Sequence, residues 1–167
     1  MSIALGALEE MLAAKMQFVL LGSGNPEHEA AFKKLQSRFP TKVRATIGYN
    51  HALSHRIEAG CDFYLMPSKF EPCGLNQMYS LRYGTIPIVR RTGGLDDAVT
   101  DATDSESSAN GVKFANYSAA ALAKAIRKAF AIYANPAALK AYRTSGIKID
   151  HSWARRVPEY LAVYQEA

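Results

Sequence analysis

Cysteine is scarce in this 167-residue sequence, and long apolar runs are missing from it. The two cysteines, Cys61 and Cys73, lack the spacing of metal ligands or of a CxxC pair, so no metal site is expected. For Cys61 we expect a small buried residue beside a strand. No stretch is long enough to cross a membrane, and the first sixteen residues resemble a helix rather than a signal peptide. A reducing compartment is therefore the expected location.

The charged residues of the sequence form no special pattern. The formal net charge is +5, but the lysines and arginines are scattered. No dense basic run is interleaved with aromatic residues, which is the pattern of nucleic-acid-binding surfaces. We therefore expect no nucleic-acid partner, and the positive charge is better suited to attracting a small anionic ligand.

The order of apolar segments predicts one α/β domain over residues 1–167. A hydrophobic content of 49% is enough for a core. Short apolar runs bounded by turn residues predict buried parallel strands, and longer runs with helical spacing predict the helices between them. The expected strands are 17–21, 43–47, 62–66, 86–89 and 111–115. The expected helices are 3–15, 26–39, 51–59, 74–84, 94–100, 118–134, 136–146 and a last one from about 150. This alternation predicts a mostly parallel sheet.

Several local expectations follow from the same pattern. Pro87 has no N–H for a central strand, so we expect the ladder to be interrupted there. The Ser-rich segment 101–110 predicts a mobile loop. In the helix after Gly74, the apolar face should contain Leu75, Met78 and Tyr79. The last helix should bury five residues and be kinked at Pro158. These five are Trp153, Val157, Tyr160, Leu161 and Tyr164.

The stretch from Pro67 to Leu95 contains the candidate site. Two successive strands each end in a special loop followed by a helix, and such loops meet at the ligand-binding edge of an open α/β sheet. Two helix N-termini at one crevice suit a diphosphate. Gly93 and Gly94, after Thr92, let the backbone come close to it. Glu71 is better placed to accept hydrogen bonds from hydroxyl groups beside the phosphates.

Each of these residues also has a purely structural interpretation. Glu71 could stabilise the start of a helix as a carboxylate near its positive end. Gly74, Leu75 and Asn76 could offer N–H groups to phosphates or simply begin a helix, and residues 92–94 could be a plain turn. Tyr49 follows a strand end, so it could stack on a base or pack on the surface. Gly22, which ends the strand 17–21, is also a candidate substrate-binding residue.

Other residues with possible chemical roles also have structural interpretations. We interpret His51 and His55 as structural residues of a helix. Asp96 and Asp97 lie in a first helical turn, where acidic residues are common, so they indicate no metal. Arg90 and Arg91 are either surface charges or contacts to phosphate or acceptor. Cys73 has no base spaced to activate it as a nucleophile.

Three long blocks in this stretch resemble the bacterial glycogen synthase and plant starch synthase family. The blocks are Ser68-x-Phe70-Glu71-Pro72-Cys73-Gly74-Leu75-x-Gln77, Tyr83-Gly84-Thr85-x-Pro87 and Arg90-Arg91-Thr92-Gly93-Gly94-Leu95. Shorter blocks in register extend the resemblance over nearly the whole chain. They are Leu20 to Gly24, Ile47 to Tyr49, Ser54 to Arg56 and Ser152-Trp153.

The resemblance implies a Rossmann-like, three-layer domain, the C-terminal donor-binding half of a GT-B glycosyltransferase. It implies that Glu71 binds the glucose hydroxyls, Tyr49 stacks on the base and Cys73 lies near the sugar. Related enzymes often have a second glutamate where this sequence has Tyr79, and this departure is like the glycogen synthases. Some members have threonine in place of Asn76, which leaves the role of that side chain open.

The resemblance also implies what lies outside the 167 residues. The family's N-terminal acceptor domain and the first strand of the donor domain are expected to be missing. Strand 1 belongs in the middle of the sheet order 3-2-1-4-5-6. We expect 17–21 to pair directly with 62–66 and close that gap; the alternatives are a strand from another chain or a partly folded domain.

Three functions are open at this point. The first is the donor domain of a retaining glucosyltransferase that moves glucose from ADP-glucose, or UDP-glucose, to an α-1,4-glucan, with no cofactor and no membrane partner. The second is a non-catalytic nucleotide- or glucan-binding module. The third is an assembly fragment that pairs with another chain. The resemblance implies the cytoplasm of a bacterium or a plastid stroma as the location.

Overall fold

The computed structural model describes residues 2–166, which form eight helices and five strands. The strands are β1 (Phe18–Gly22), β2 (Val43–Ile47), β3 (Phe63–Met66), β4 (Ile86–Arg90) and β5 (Val112–Phe114). The helices are α1 (Ser2–Met11), α2 (Pro26–Arg38), α3 (His51–Gly60), α4 (Asn76–Tyr83), α5 (Gly93–Ala98), α6 (Ala119–Ala134), α7 (Pro136–Ile147) and α8 (Trp153–Glu166). The expected α/β class is confirmed, and element boundaries differ by a few residues from the prediction.

The strands form two separate parallel sheets. β1 pairs with β2, in the register Phe18 with Val43. β4 is the centre of a second sheet, in the order β3-β4-β5. Within residues 2–166 no pairing joins β1 to β3, so the expectation that these two strands close directly on each other is wrong. Both strands nevertheless border the same apolar cluster, β1 through Phe18 and Leu20 and β3 through Phe63 and Leu65.

That cluster lies on the side of the sheets covered by α1 and α6. The stripe predicted for α1 is buried, and Leu8 and Leu12 are fully inaccessible. Opposite it, α6 buries Leu122 and Ile126 as predicted, whereas Tyr133 is 54% exposed. The second cluster is small, and consists of Val89, Leu95 and Val99 with Met66 packed against them. The two sheets are therefore joined by apolar packing against α1 and α6, and not by hydrogen bonds between their strands.

Helix boundaries follow local signals in the sequence. Asn25 caps α2, accepting from the amide of Glu27 at 2.8 Å, with Pro26 at the first position. Ser118 and Asn135 cap α6 and α7 in the same way. Gly84 ends α4 with φ of 77°, a conformation that glycine adopts without strain.

Pro87 does not interrupt the ladder, contrary to our expectation. Residues in a parallel strand direct their backbone groups alternately to the two neighbours. The amide of Ile86 donates to Asp62 beside β3, so the nitrogen of Pro87 faces β5. β5 pairs only from Ile88 onward, opposite Val112. The proline therefore occupies a position where no partner requires its N–H.

The last helix differs most from the prediction. No residue of α8 is buried, and the five side chains expected in the core are exposed. Trp153 is 72% exposed and Tyr164 is 77% exposed. Pro158 lies inside the helix as expected. The helix forms where the amphipathic pattern predicts it, but the prediction that it buries these side chains is wrong for residues 2–166.

The segment 101–110, predicted to be mobile, is anchored at both ends by buried polar residues. Asp101 and Asn110 are each 1% exposed. The side-chain oxygen of Asn110 accepts from the amide of Thr100 at 2.8 Å. Asp101 accepts from the amide of Lys113 at 2.8 Å.

Among the described residues, no helix is both long enough and apolar enough to cross a membrane.

Candidate functional site

The loops after β3 and β4 meet through backbone contacts. The amide of Gly94 donates to the carbonyl oxygen of Pro72 at 3.1 Å. A Cβ on Gly94 would lie 2.2 Å from the carbonyl oxygen of Cys73, and one on Gly93 would lie equally close to that of Glu71. These glycines are therefore required for the contact between the two loops. We had predicted that they make room for a ligand; the side that a Cβ would occupy instead faces the neighbouring loop.

Gln77 supports the loop after β3 through its side chain. Its side-chain amide donates to the carbonyl oxygens of Cys73 at 3.0 Å and Gly74 at 2.9 Å, and the residue is fully buried. Its Oε1 has no partner among the described residues. Gln77 lies within one of the motifs of the sequence, but the motif alone does not indicate this role. The available signal was a polar residue three positions after a glycine at the start of a helix.

Arg90 also supports the loop after β3 through its side chain. Its Nε donates to the carbonyl oxygen of Ser68 at 2.9 Å, and its Nη2 donates to that of Lys69. The guanidinium carbon lies 5.8 Å from the centre of the Tyr117 ring, a cation–π arrangement. Arg90 is thus committed to positioning the loop that carries Glu71, rather than being a free contact for phosphate.

Glu71 lies between these supports and is partly exposed. The hydroxyl of Ser68 donates weakly to its Oε2, at 3.4 Å. The rest of its acceptor capacity is open, because a carboxylate offers about four lone-pair sites. The side chain can therefore accept hydrogen bonds from a ligand that carries hydroxyl groups.

The N-termini of α4 and α5 flank this loop. The N-cap positions, Leu75 and Thr92, make no side-chain cap bond. The buried face of α4 contains Gln77, Ser80 and Leu81, so the prediction of an apolar face through Leu75 and Tyr79 is wrong. Leu75 is 55% exposed. Amides at these helix starts are the kind of group that binds anions.

A second group of candidate residues lines a cleft of about 570 Å³ between β1 and β3. Gly22, Tyr49 and Asn76 all line it. Tyr49 is 86% exposed, so its ring is open to a partner. Asn76 donates from its side chain to the hydroxyl of Tyr64 at 2.9 Å. The structure therefore splits the predicted site into two neighbouring parts, joined by α4.

The first part contains the remaining candidates. They are Glu71, Cys73, Gly74, Leu75, Thr92, Gly93 and Gly94, all in the two loops described above. Cys73 is exposed, and its thiol lies 3.6 Å from the carbonyl oxygen of Gly74. Cys61 is half-buried rather than buried, and burial raises the pKa of its thiol.

Glu58 is a buried acidic residue at the same cleft. It is 3% exposed and lines the cleft beside Tyr64. Burial raises the pKa of its carboxyl above the usual value, and a hydrogen bond with Tyr64 opposes this only in part. No signal in the sequence singles out Glu58, because glutamates within helices are mostly exposed.

Arg91 belongs to a charged cluster behind α5. It pairs with Asp104 at 2.7 Å and Asp96 at 3.3 Å. The Arg91 guanidinium, followed by Lys113, holds the pKa of Asp104 far below its usual range. Burial acts to raise the pKa of Asp101, but hydrogen bonds, foremost that from Lys128 at 2.6 Å, outweigh it and lower that pKa. Arg91 is therefore paired with acidic side chains.

The two histidines of α3 form a surface cluster. His51 and His55 lie one turn apart, with their Nε2 atoms 3.3 Å from each other, and Nδ1 of His55 is 3.2 Å from the Tyr83 hydroxyl. Among residues 2–166, no group of three or more His, Cys, Asp or Glu side chains is placed to hold a metal ion.

Comparison with known proteins gives matches over almost the whole chain. The family model "Glycosyl transferases group 1" matches residues 2–145. The chain is 47% identical over 165 residues to the glycogen synthase of Anaeromyxobacter sp. (strain Fw109-5), covering 99% of this chain and 34% of that protein. It is also 47% identical to the glycogen synthase of Myxococcus xanthus, with the same coverage.

Solved structures agree with the sequence matches. The catalytic domain of starch synthase IV from Arabidopsis thaliana, bound to ADP and acarbose, superposes with a TM-score of 0.87 at 35% identity, covering 99% of this chain and 35% of that one. Sucrose-phosphate synthase from Thermosynechococcus elongatus, at 20% identity and a TM-score of 0.72, shares the fold. The chain spans about a third of the length of the curated relatives that it matches. By its sequence and its α/β architecture, the chain belongs to the group 1 glycosyl transferases.

Proposed function

We propose that this chain binds the nucleotide-sugar donor of a retaining glucosyltransferase of the glycogen and starch synthase type. The complete enzyme transfers glucose from ADP-glucose to the end of an α-1,4-glucan. The observation that carries this proposal is the joining of the loops after β3 and β4 at Gly94 and Pro72, with an open carboxylate, Glu71, beside two uncapped helix starts. The relative solved with ADP and acarbose supports the choice of an adenine nucleotide and a glucan.

In this proposal each part of the site has a separate task. Amides of Gly74, Leu75 and Asn76, and of Thr92 and Gly93, bind the diphosphate, and the helix dipoles stabilise its charge as it departs. The amide of Gly94, already bonded to Pro72, holds the two loops together instead. Glu71 accepts hydrogen bonds from the glucose hydroxyls and fixes the sugar, with Cys73 beside it. Gly22 and Tyr49 take the nucleoside end, where the exposed ring stacks on the base. Gln77 and Arg90 position the loop without touching the ligand.

The donor could also be UDP-glucose, and the test must separate the two. Calorimetric titration of the purified chain with ADP, UDP and ADP-glucose measures each affinity. We expect ADP and ADP-glucose to bind more tightly than UDP. Equal or tighter binding of UDP contradicts the choice of base, while absence of binding by all three contradicts the donor-site proposal itself.

A non-catalytic nucleotide- or glucan-binding module is the second candidate function. The open ring of Tyr49 and the uncapped starts of α4 and α5 suit ligand binding without any catalytic step. An assay of labelled glucose incorporation into a glucan primer distinguishes the two. We expect no transfer by the 167 residues alone, and transfer when the rest of the family's polypeptide is present. The bacterial relatives support a cytoplasmic location as part of this proposal.

A further inference from the structure

Two histidines of α3 lie side by side at the rim of the first cleft. His51 is the first residue of the helix, and His55 follows one turn later. Both line the cleft of about 570 Å³, as does Tyr49. His51 is exposed and His55 is half-buried, so both rings can be reached from solvent. None of the roles given above to residues at the nucleotide or the sugar uses either imidazole.

The spacing of the two histidines brings their nitrogen atoms together. Residues four positions apart are neighbours on the surface of a helix. The ring centroids of His51 and His55 are 4.6 Å apart, and the rings meet edge to face. Their Nε2 atoms are closer still, at 3.3 Å. The two imidazoles therefore present the same nitrogen to one shared point on the helix surface.

The distance between these nitrogens is that of two ligands on one metal ion. Zn²⁺ binds imidazole nitrogen at about 2.0–2.1 Å and prefers tetrahedral angles between its ligands. Two nitrogens at that bond length and angle are about 3.3–3.4 Å apart. The observed separation of 3.3 Å therefore matches a tetrahedral ion bound by both rings.

Contacts with α4 hold His55 in the form that a metal requires. The Tyr83 hydroxyl lies 3.2 Å from Nδ1 of His55, and the Tyr79 ring centroid lies 5.9 Å from that of His55. When the Nδ1–H donates to the Tyr83 oxygen, Nε2 carries the free lone pair. Metal-binding histidines usually have such a partner on the second nitrogen, which fixes the tautomer and the direction of the ring.

The proton on the other ring has a simple path. Without a metal, the Nε2–H of His51 donates to the lone pair on Nε2 of His55. When an ion binds, this proton leaves to solvent and another is taken up at Nδ1, so His51 stays neutral and its Nε2 becomes the second ligand. The exposed ring of His51 can turn toward the ion, because exposed side chains change rotamer rapidly.

We propose that His51 and His55 form a binding site for a divalent transition-metal ion, such as Zn²⁺ or Ni²⁺, with water in the remaining positions. Imidazole suits these ions, whereas Mg²⁺ and Ca²⁺ prefer oxygen ligands. Within residues 2–166, no third His, Cys, Asp or Glu is placed to complete a cage. The site therefore differs from structural zinc sites, which have four protein ligands, and its ion exchanges with solvent. The proposal does not depend on nucleotide binding.

The test is a titration of the purified, metal-free chain with ZnCl₂, without nucleotide, followed by NMR of the histidine ring protons. It is run at about pH 7.5, because ligating imidazoles must be neutral. Ring protons distinguish the pair from the exposed thiol of Cys73, which is also a possible Zn²⁺ ligand. We expect the resonances of His51 and His55 to shift together along one binding curve, while those of His28 and His151 stay in place.

Each other result overturns the proposal. Shifts of equal size at His28 or His151 mean that the ion binds histidines without selection. A shift of one member of the pair without the other means that the ion is not shared. No shift of either ring up to millimolar Zn²⁺ leaves the pair as a hydrogen-bonded surface contact. The same shifts with MgCl₂ contradict a site made of imidazole ligands.

Variants give a second readout. His51→Ala removes one ligand at an exposed position, and we expect Zn²⁺ to bind at least tenfold more weakly, as measured at the ring of His55. His28→Ala, at a histidine of α2 that does not line the cleft, should bind like the native chain. Equal affinity of these two variants contradicts a paired site.

Tyr83→Phe tests the support of His55 from α4. The variant keeps the aromatic ring and removes the hydroxyl that faces Nδ1 of His55. We expect Zn²⁺ to bind about tenfold more weakly, on the scale of losing a partner of a ligating histidine. Native affinity in this variant would show that Tyr83 has no part in the site.

Discussion

Gly94 donates its amide hydrogen to the carbonyl oxygen of Pro72, 3.1 Å away, and has no room for a Cβ beside Cys73. This bond joins the loop that follows β4 to the loop that carries Glu71. The position of the carboxylate therefore depends on a residue in another part of the chain. The Thr92-Gly93-Gly94 sequence therefore has a structural role, which is to join the two loops whether or not a ligand is bound.

Gly94→Ala tests this dependence. A Cβ only 2.2 Å from the carbonyl oxygen of Cys73 forces the loops apart, and we expect a loss of about 1–3 kcal/mol in the free energy of unfolding. Urea denaturation measures it. Gly24→Ala is the matched control, because nothing lies within 4 Å of its added Cβ. Equal stability of the two variants would show that the loop contact is not tight.

Tyr49→Ala tests the assignment of the base. Stacking on an aromatic ring contributes about 1–3 kcal/mol, so we expect ADP to bind roughly tenfold more weakly. Titration calorimetry measures the change. Tyr164→Ala, at a tyrosine of α8 that is 77% exposed, should bind ADP normally. If both variants bind like the native chain, the base lies elsewhere.

Glu71→Gln separates sugar binding from nucleotide binding. The variant should leave the affinity of this chain for ADP unchanged, because the carboxylate is assigned to the sugar. In the complete enzyme we expect kcat to fall about 100-fold or more, on the scale of losing one well-placed stabilising group. A variant that changes only KM contradicts the assignment.

Glu58 predicts a stability that falls with rising pH. Its pKa is raised in the folded protein, so the carboxyl group binds its proton more tightly there than in the unfolded chain. The stabilisation is complete below the unfolded pKa of about 4.3 and is lost as pH rises through the folded pKa. Glu58→Gln should flatten this loss in urea denaturation between pH 4 and 8, at roughly unit intervals. Glu106→Gln, at an exposed position, should follow the native profile.

Asp101 predicts the opposite trend at acid pH. Its pKa is lowered in the fold, so its contribution is present above the unfolded pKa and is lost as pH falls through the folded value. Asp101→Asn removes the bond to Lys128, and we expect a loss of about 1–3 kcal/mol near pH 7. The difference from the native protein should shrink below about pH 4. Asp97→Asn, on an exposed carboxylate, is the control.

Local signals in the sequence were sufficient for most of the fold. Asn25-Pro26, Ser118 and Gly84 marked helix ends through caps that depend on a few neighbouring residues. The loops of the candidate site were also located, because glycines and prolines mark strand ends. These features are determined within one turn or loop, so no distant contact has to be known.

Features that depend on distant contacts could not be predicted. The apolar stripe of α8 gave the correct helix but not its surroundings, since nothing among residues 2–166 covers it. Gln77 was missed because its partners are carbonyl oxygens, which carry no residue-specific signal. The failure of β1 and β3 to pair was also missed, because the apolar pattern of each strand does not specify which edge it pairs with.

The exposure of α8 has a consequence for how the molecule unfolds. A helix of 14 residues with an internal proline gains little from its own hydrogen bonds, and isolated helices of about 12–15 residues are marginal in water. Without buried side chains, α8 is not coupled to the core, and its melting is a separate, broad helix–coil transition. Its amides should exchange by local fraying, at rates that do not respond to mutations such as Gly94→Ala. Calorimetry of the chain should then show one cooperative peak. Circular dichroism should show a gradual loss of helical signal at temperatures below that peak.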